Sequence, residues 1–268
     1  MNIVAINNIC CKSGRNYILK NITWNVQDGE HWVIFGMNGS GKTTLLSILA
    51  GVRKYSSGTI ELFGRKYTED NIIQMRKDIG FVSGSFFEKV FQRESVLQIV
   101  LSGIFGTYNV TEELHLSDII RAKNMLKAFD LIDRANYPFN FLSKGEQEQV
   151  LVVRALISNP KLLLLDEPCS GLDVYSRDRL LNTIARIDQE TNITMLYVTH
   201  YPEEILPCFK KVLLLKYGEV FKKDDREKVF TTSTMEDFLE TSVELVVENE
   251  RYYLSIGAEH GFRAIKPS

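Results

Sequence analysis

One stretch of this 268-residue sequence has the residue types and spacing to hold a polyphosphate. Gly36-Met37-Asn38-Gly39-Ser40-Gly41-Lys42-Thr43 fits the pattern G-x-x-x-x-G-K-[ST], and Thr44 follows it. Glycines at these places let the backbone turn its N–H groups inward, and a helix beginning at Lys42 adds the partial positive charge of its N-terminus. Lys42 is then placed to reach the β- and γ-phosphates, and the Thr43 hydroxyl to meet Mg2+.

A hard divalent cation also needs carboxylate oxygen. Residues 162–165 are leucines, followed by Asp166, Glu167 and Pro168. Such a run reads as a strand buried on both faces, with its acids delivered at the carboxyl end. Asp166 is the expected metal carboxylate. Glu167, one residue further, is placed to polarise an attacking water, which makes hydrolysis the expected chemistry. Taken alone, the two acids serve equally well as caps ahead of Pro168; the phosphate loop upstream favours the site.

The elements that must position these residues follow from periodicity. Ile22, Trp24 and Val26 alternate with Asn21, Thr23 and Asn25, a half-buried strand ending at the turn Gln27-Asp28-Gly29. Residues 31–35 form a short apolar strand before the glycine-rich loop, and residues 42–50 suit a buried helix that stops at Gly51. Residues 59–63 read as another strand. From residue 95 to 141 the apolar residues recur at helical spacing, which predicts a helical insert over about 86–141. A helix carrying Leu180, Leu181, Ile184 and Ile187 precedes a strand at 194–199 that ends at His200, so the two flanking strands pair in parallel through a right-handed crossover. After the turn Tyr217-Gly218, residues 222–226 read as a charged, flexible join. A short helix at 235–239 and a hairpin of 243–247 with 252–256 follow. The fold class is α/β, with a main unit over residues 1–221 and a small C-terminal extension over 222–268.

Leu142-Ser143-Lys144-Gly145-Glu146-Gln147, lying ahead of the 162–168 segment, resembles the signature of the ATP-binding-cassette (ABC) ATPases. Ser170-Gly171-Leu172-Asp173 is similar to their D-loop, and His200 to their switch histidine. These motifs stand in the family's order over about residues 2–221. The resemblance implies a P-loop NTPase core with a parallel sheet, an antiparallel β subdomain and a helical insert. It implies ATP and Mg2+ as cofactors, hydrolysis to ADP and phosphate, and a second copy of the chain closing two ATP molecules into a sandwich. Ser143 and Gly145 would then face the γ-phosphate bound to the other copy, Asp173 would lie at the contact, and His200 would hydrogen-bond the γ-phosphate. Each has a plainer reading: Ser143 with Glu146 has the form of a capping box, Asp173 that of an N-cap, and a lone loop histidine is by default structural. A finer likeness, in Trp24, Trp32, Val82-Ser83 and Lys144-Gly145-Glu146, is to molybdenum-transport and photorepair-type single-cassette proteins.

The pattern also departs from the family. Its adenine-stacking aromatic has no counterpart near Ser13, which leaves Tyr17 or none, and Tyr17 suits strand packing equally well. Ile79-Gly80-Phe81-Val82-Ser83-Gly84-Ser85 places a small residue where the family has a cation-contacting glutamine, so Gln92, Ser83 or Ser85 is left to serve instead. In the signature itself, Lys144 replaces a glycine and Glu146 a glutamine.

Composition sets the outer limits. Hydrophobic residues make up 44% and charged residues 25%, which excludes a disordered or low-complexity chain, and the net charge of −2 provides no global basic field for nucleic acid. The longest uncharged stretch, residues 95–111, is broken by polar residues and glycine well short of a membrane span. Cys10, Cys11, Cys169 and Cys208 lack C-x-x-C spacing and read as reduced thiols. The expected function is therefore the ATP-hydrolysing subunit of a transporter, cytoplasmic and peripheral at the inner face of the membrane, driving a separate integral permease. The alternative is a soluble ABC ATPase acting on a ribosome or nucleic acid without transport.

Overall fold

In the computed structural model, residues 1–68, 70–91, 93–107 and 113–257 are described. Strands β1 (Asn2–Ser13) and β2 (Asn16–Gln27) pair antiparallel over nearly their whole length, with register shifts where Asn8 and Asn21 take left-handed backbone. β3 (Trp32–Phe35) is wholly buried and feeds, through the glycine loop, the helix α1 (Lys42–Leu49). β4 (Ser57–Leu62) and β5 (Arg65–Lys66) complete a sheet of order β2-β1-β4-β5. After the single turn α2 (Ile72–Met75) comes β6 (Ile79–Val82), again wholly buried.

The helical insert follows as α3 (Gly84–Val90), α4 (Val96–Ile104) and α5 (Leu116–Ala128), and it leads into α6 (Lys144–Leu156). From Gln147 to its end α6 is buried, including its polar residues. β7 (Leu162–Asp166), α7 (Val174–Glu190) and β8 (Thr194–Thr199) form the strand-helix-strand unit, and β7 and β8 pair in parallel. β9 (Lys211–Lys216) and β10 (Glu219–Asp225) close a second sheet of order β10-β9-β3-β8-β7-β6. β3, β6, β7 and β8 have no exposed residue, the pattern of parallel strands covered on both faces.

One expectation is corrected here. Residues 222–226 are not a flexible join: Lys222, Lys223, Asp224 and Asp225 are paired with β9 as the last residues of β10, and Arg226 starts a helix. Their charge is that of a sheet edge, where lysines discourage pairing with another chain. The rest of the C-terminal part, α8 (Arg226–Val229), α9 (Thr232–Leu239) and the hairpin of β11 (Val243–Glu248) with β12 (Arg251–Ile256), packs on the main sheet. The rings of Phe230 and Phe238 lie 5.4 and 6.2 Å from Phe35, at the end of β3, and Tyr252 lies 4.9 Å from Phe230. The extension thus shares one hydrophobic core with the phosphate-loop strand. Among the described residues no helix is long and apolar enough to cross a membrane.

Candidate functional site

The carboxyl ends of β3, β6, β7 and β8 lie side by side, the place where open parallel sheets bind ligands. From β3 issues the glycine loop. Gly39 and Gly41 have φ of 80° and 104°, which turns the backbone as a cradle requires. Gly41 has a second reason to be glycine, since a Cβ there would stand 2.6 Å from Leu19 Cδ2. Lys42 is 4% exposed, and its ammonium donates to the carbonyls of Gly36 (2.8 Å) and Met37 (3.2 Å). Met37, Asn38 and Thr43 are exposed, Thr44 is half-buried, and Ser40 is buried with its Oγ unpartnered among the described residues.

From β7 issues Asp166, 5% exposed, whose two oxygens are both taken. Thr43 Oγ1 donates to Oδ1 at 2.9 Å, and Ser83 Oγ, from the end of β6, donates to Oδ2 at 3.0 Å. Burial raises the Asp166 pKa; the two hydroxyls and Lys42 oppose the rise, and Glu167 adds to it. Glu167 sits with φ of 47°, a left-handed backbone for a non-glycine residue, held by its N–H donating to Val198 O at 3.1 Å. This bend sends its carboxylate between the Lys42 ammonium and the His200 ring: Oε1 lies 3.4 Å from Lys42 Nζ and 3.3 Å from His200 Nδ1. The histidine pair is close but is not a hydrogen bond, for Nδ1 has no partner in suitable geometry.

The structure therefore brings Lys42, Thr43, Asp166, Glu167 and His200 together and adds Ser83 to them. Ser85 is one step removed, with its Oγ 3.4 Å from that of Ser83. Gln92 lies outside the described residues. Ser143 and Gly145 stand apart from the cluster. Ser143 caps α6 in a full capping box with Glu146, whose other oxygen accepts from Arg134 Nε at 2.9 Å. A Cβ at Gly145 would stand 2.9 Å from Ser176 Oγ, so that glycine admits α7. Asp173 caps α7, accepting from Ser176 N at 2.9 Å. Tyr17 is half exposed, and Lys12 Nζ lies 4.4 Å over its ring.

Two buried acids went unread in the sequence. Glu204, 2% exposed, accepts from Tyr197 (3.0 Å) and Thr199 (2.6 Å) and so ties down the turn after His200. Glu148 lies on the buried run of α6 and is 7% exposed. The one available signal for each was an acid at an otherwise core-facing position.

The donor set suits a triphosphate and a hard cation. A buried ammonium and the Ser40 hydroxyl, unpartnered among the described residues, present donors, and one carboxylate beside one threonine hydroxyl offers oxygen ligands. Among the described residues no three His, Cys, Asp or Glu side chains converge as a metal cage.

Comparison with known proteins agrees. The family model of the ABC transporter matches residues 19–170. The chain is 35% identical to an uncharacterised ABC transporter ATP-binding protein, YlmA of Bacillus subtilis, over 94% of this chain and 97% of that protein. It is 34% identical to the ABC transporter ATP-binding protein ModF of Escherichia coli, over 76% of this chain and 42% of that protein. Among solved structures, the dimeric ATP-binding cassette MJ0796 bound to ADP and Pi superposes with a TM-score of 0.72 at 29% identity, over 83% of this chain and 98% of that one. The matched segment holds the glycine loop, Ser83, Ser143 and the Asp166-Glu167 pair that the fold assembles, and the chain belongs to the ABC transporter family, among its ATP-binding proteins.

Proposed function

We propose that the chain binds and hydrolyses MgATP as one of two copies that close on two nucleotides and drive a separate membrane permease. The observation that carries this reading is the position of Glu167, with its carboxylate between Lys42 and His200 and next to Asp166. Lys42, released from the carbonyls of Gly36 and Met37, binds the β- and γ-phosphates together with the inward amides of residues 36–44, Gly36, Met37, Asn38, Gly39, Ser40, Gly41 and Thr44 among them. Thr43 and Asp166 hold the cation. A bound Mg2+ would offset the negative charge of the phosphate oxygens there. Glu167 accepts the proton of the attacking water, and His200 orients the γ-phosphate. Ser143 and Gly145 serve the nucleotide of the second copy, which explains why they stand apart from the cluster in one chain.

The dimeric, ADP-bound state named for MJ0796 supports the two-copy arrangement, and the relatives' description as ABC transporter ATP-binding proteins supports a permease at the inner face of the cell membrane. Glu167→Gln is the test. It should lower turnover by about 100-fold or more, leave ATP binding in place and convert the protein to a stable dimer on MgATP, read by light scattering. Unchanged turnover removes Glu167 from its role. Capture from solubilised membranes should retrieve an integral membrane protein, and stimulation by ribosomes or DNA with no such protein retrieved sinks the transport reading.

A further inference from the structure

Glu148 is a buried carboxyl on α6 whose Oε1 stands against Gly84, the residue after Ser83. It is 7% exposed, and its Oε2 has no hydrogen-bond partner among the described residues. A buried acceptor left in that state destabilises the fold, more so when charged. Its Oε1 presses on Gly84: a Cβ at position 84 would overlap it. Gly84 follows Ser83, whose hydroxyl donates to Asp166. The charges facing Glu148 are Glu88 and Asp166, both repelling, and Lys144, which is itself paired with Glu88. A lone buried acceptor beside a carboxylate, in a setting of mostly negative charge, is matched by a hydrated divalent cation, since the waters on such a cation are donors and Mg2+ gives them up reluctantly.

We propose that Glu148 is a positioning residue of the cation site: its carboxyl, filling the space beneath Gly84, keeps the Ser83 hydroxyl on Asp166 and makes α6 responsive to the cation. Position 84 carries no side chain because the oxygen from α6 takes its place. The helix that begins at Ser143 is thereby joined to the metal carboxylate of its own chain through Glu148, Gly84 and Ser83. This inference rests on the MgATP reading above.

The test is the binding of a fluorescent ATP analogue titrated with Mg2+ and, separately, Mn2+. In Glu148→Gln, which keeps the shape, the cation concentration for half-maximal binding should rise about 10-fold, the size usual when a partner behind a metal ligand is lost. Binding measured in EDTA and the melting temperature should not fall. Gly84→Ala displaces the same carboxyl without removing it and should move the cation requirement in the same direction, so it decides the matter should Glu148→Gln not fold. A cation requirement within twofold of wild type in the folded variant overturns the inference, whatever the turnover. Wild-type protein whose nucleotide binding ignores the cation overturns the MgATP reading and this inference together.

Discussion

The glycine loop and the first turns of α6 are the two segments given phosphate-binding roles in the proposed function, and their polar groups are satisfied in different ways. In the loop, Lys42 bonds carbonyls five and six residues away, and Thr43 reaches straight to Asp166. The loop bonds partly to itself and partly to the acids at the end of β7, and its Ser40 Oγ has no partner among the described residues. In α6 the exposed end is held by Ser143 and Glu146 capping each other and by Arg134, but next along the helix Gln147 Oε1 and Glu148 Oε2 have no partner among the described residues. The difference teaches where each half was shaped. The loop carries its donors within one short segment, whereas α6 depends on β6 and β7 and on what they hold.

Lys42→Ala strikes the loop hardest. Loss of the charged donor should weaken ATP binding about 100-fold by calorimetry with the fold intact by circular dichroism. Near-normal affinity would remove Lys42 from the proposed phosphate site.

A second expectation sharpens the unpartnered half. Burial, with Glu88 and Asp166 adding to it, pushes the Glu148 carboxyl up to about 8. A carboxyl whose folded pKa exceeds its unfolded one stabilises the protonated folded state, so stability is highest below the ordinary carboxylate range and declines as pH rises to about 8. Asp166 and Glu204, also raised by burial, act in the same sense. The melting temperature of the nucleotide-free protein should drop by about 5 °C from pH 5 to pH 8.5, and Glu148→Gln should flatten much of that slope. An equal slope in the variant would assign the effect to the other two acids.

Ser143→Ala removes the cap of α6 and should cost about 1 kcal/mol in urea unfolding. Arg134→Gln, which breaks the partly exposed pair with Glu146, should lower the urea midpoint by less than Ser143→Ala does. A larger loss there would mean that the outer end of α6 leans on its neighbours as heavily as the inner end does.

What the sequence made legible is what lies close together in it. The glycine loop, the leucine strand with its two acids, the Ser143 box and the hairpin turn at Asn249-Glu250 are each contained in a few residues, and the structure realises them. Ser83 could be named as a candidate, but its bond to Asp166 spans 83 positions and only the fold discloses it. Glu148 and Glu204 were hidden because acids on a helix or in a turn ordinarily face water, and nothing local marks these as buried. Residues 222–226 misled for the opposite reason: an edge strand armed with lysine has the composition of a linker.

The left-handed backbone at Glu167 has a consequence for how this chain responds to selection. A side chain other than glycine held there costs about 1 kcal/mol or more, so Glu167→Gly should raise the folding stability while removing the carboxylate. A screen that rewarded only thermal resistance would therefore erase this acid early. On the reading proposed above, the backbone of this one peptide unit is held in a costly conformation for the carboxylate it carries.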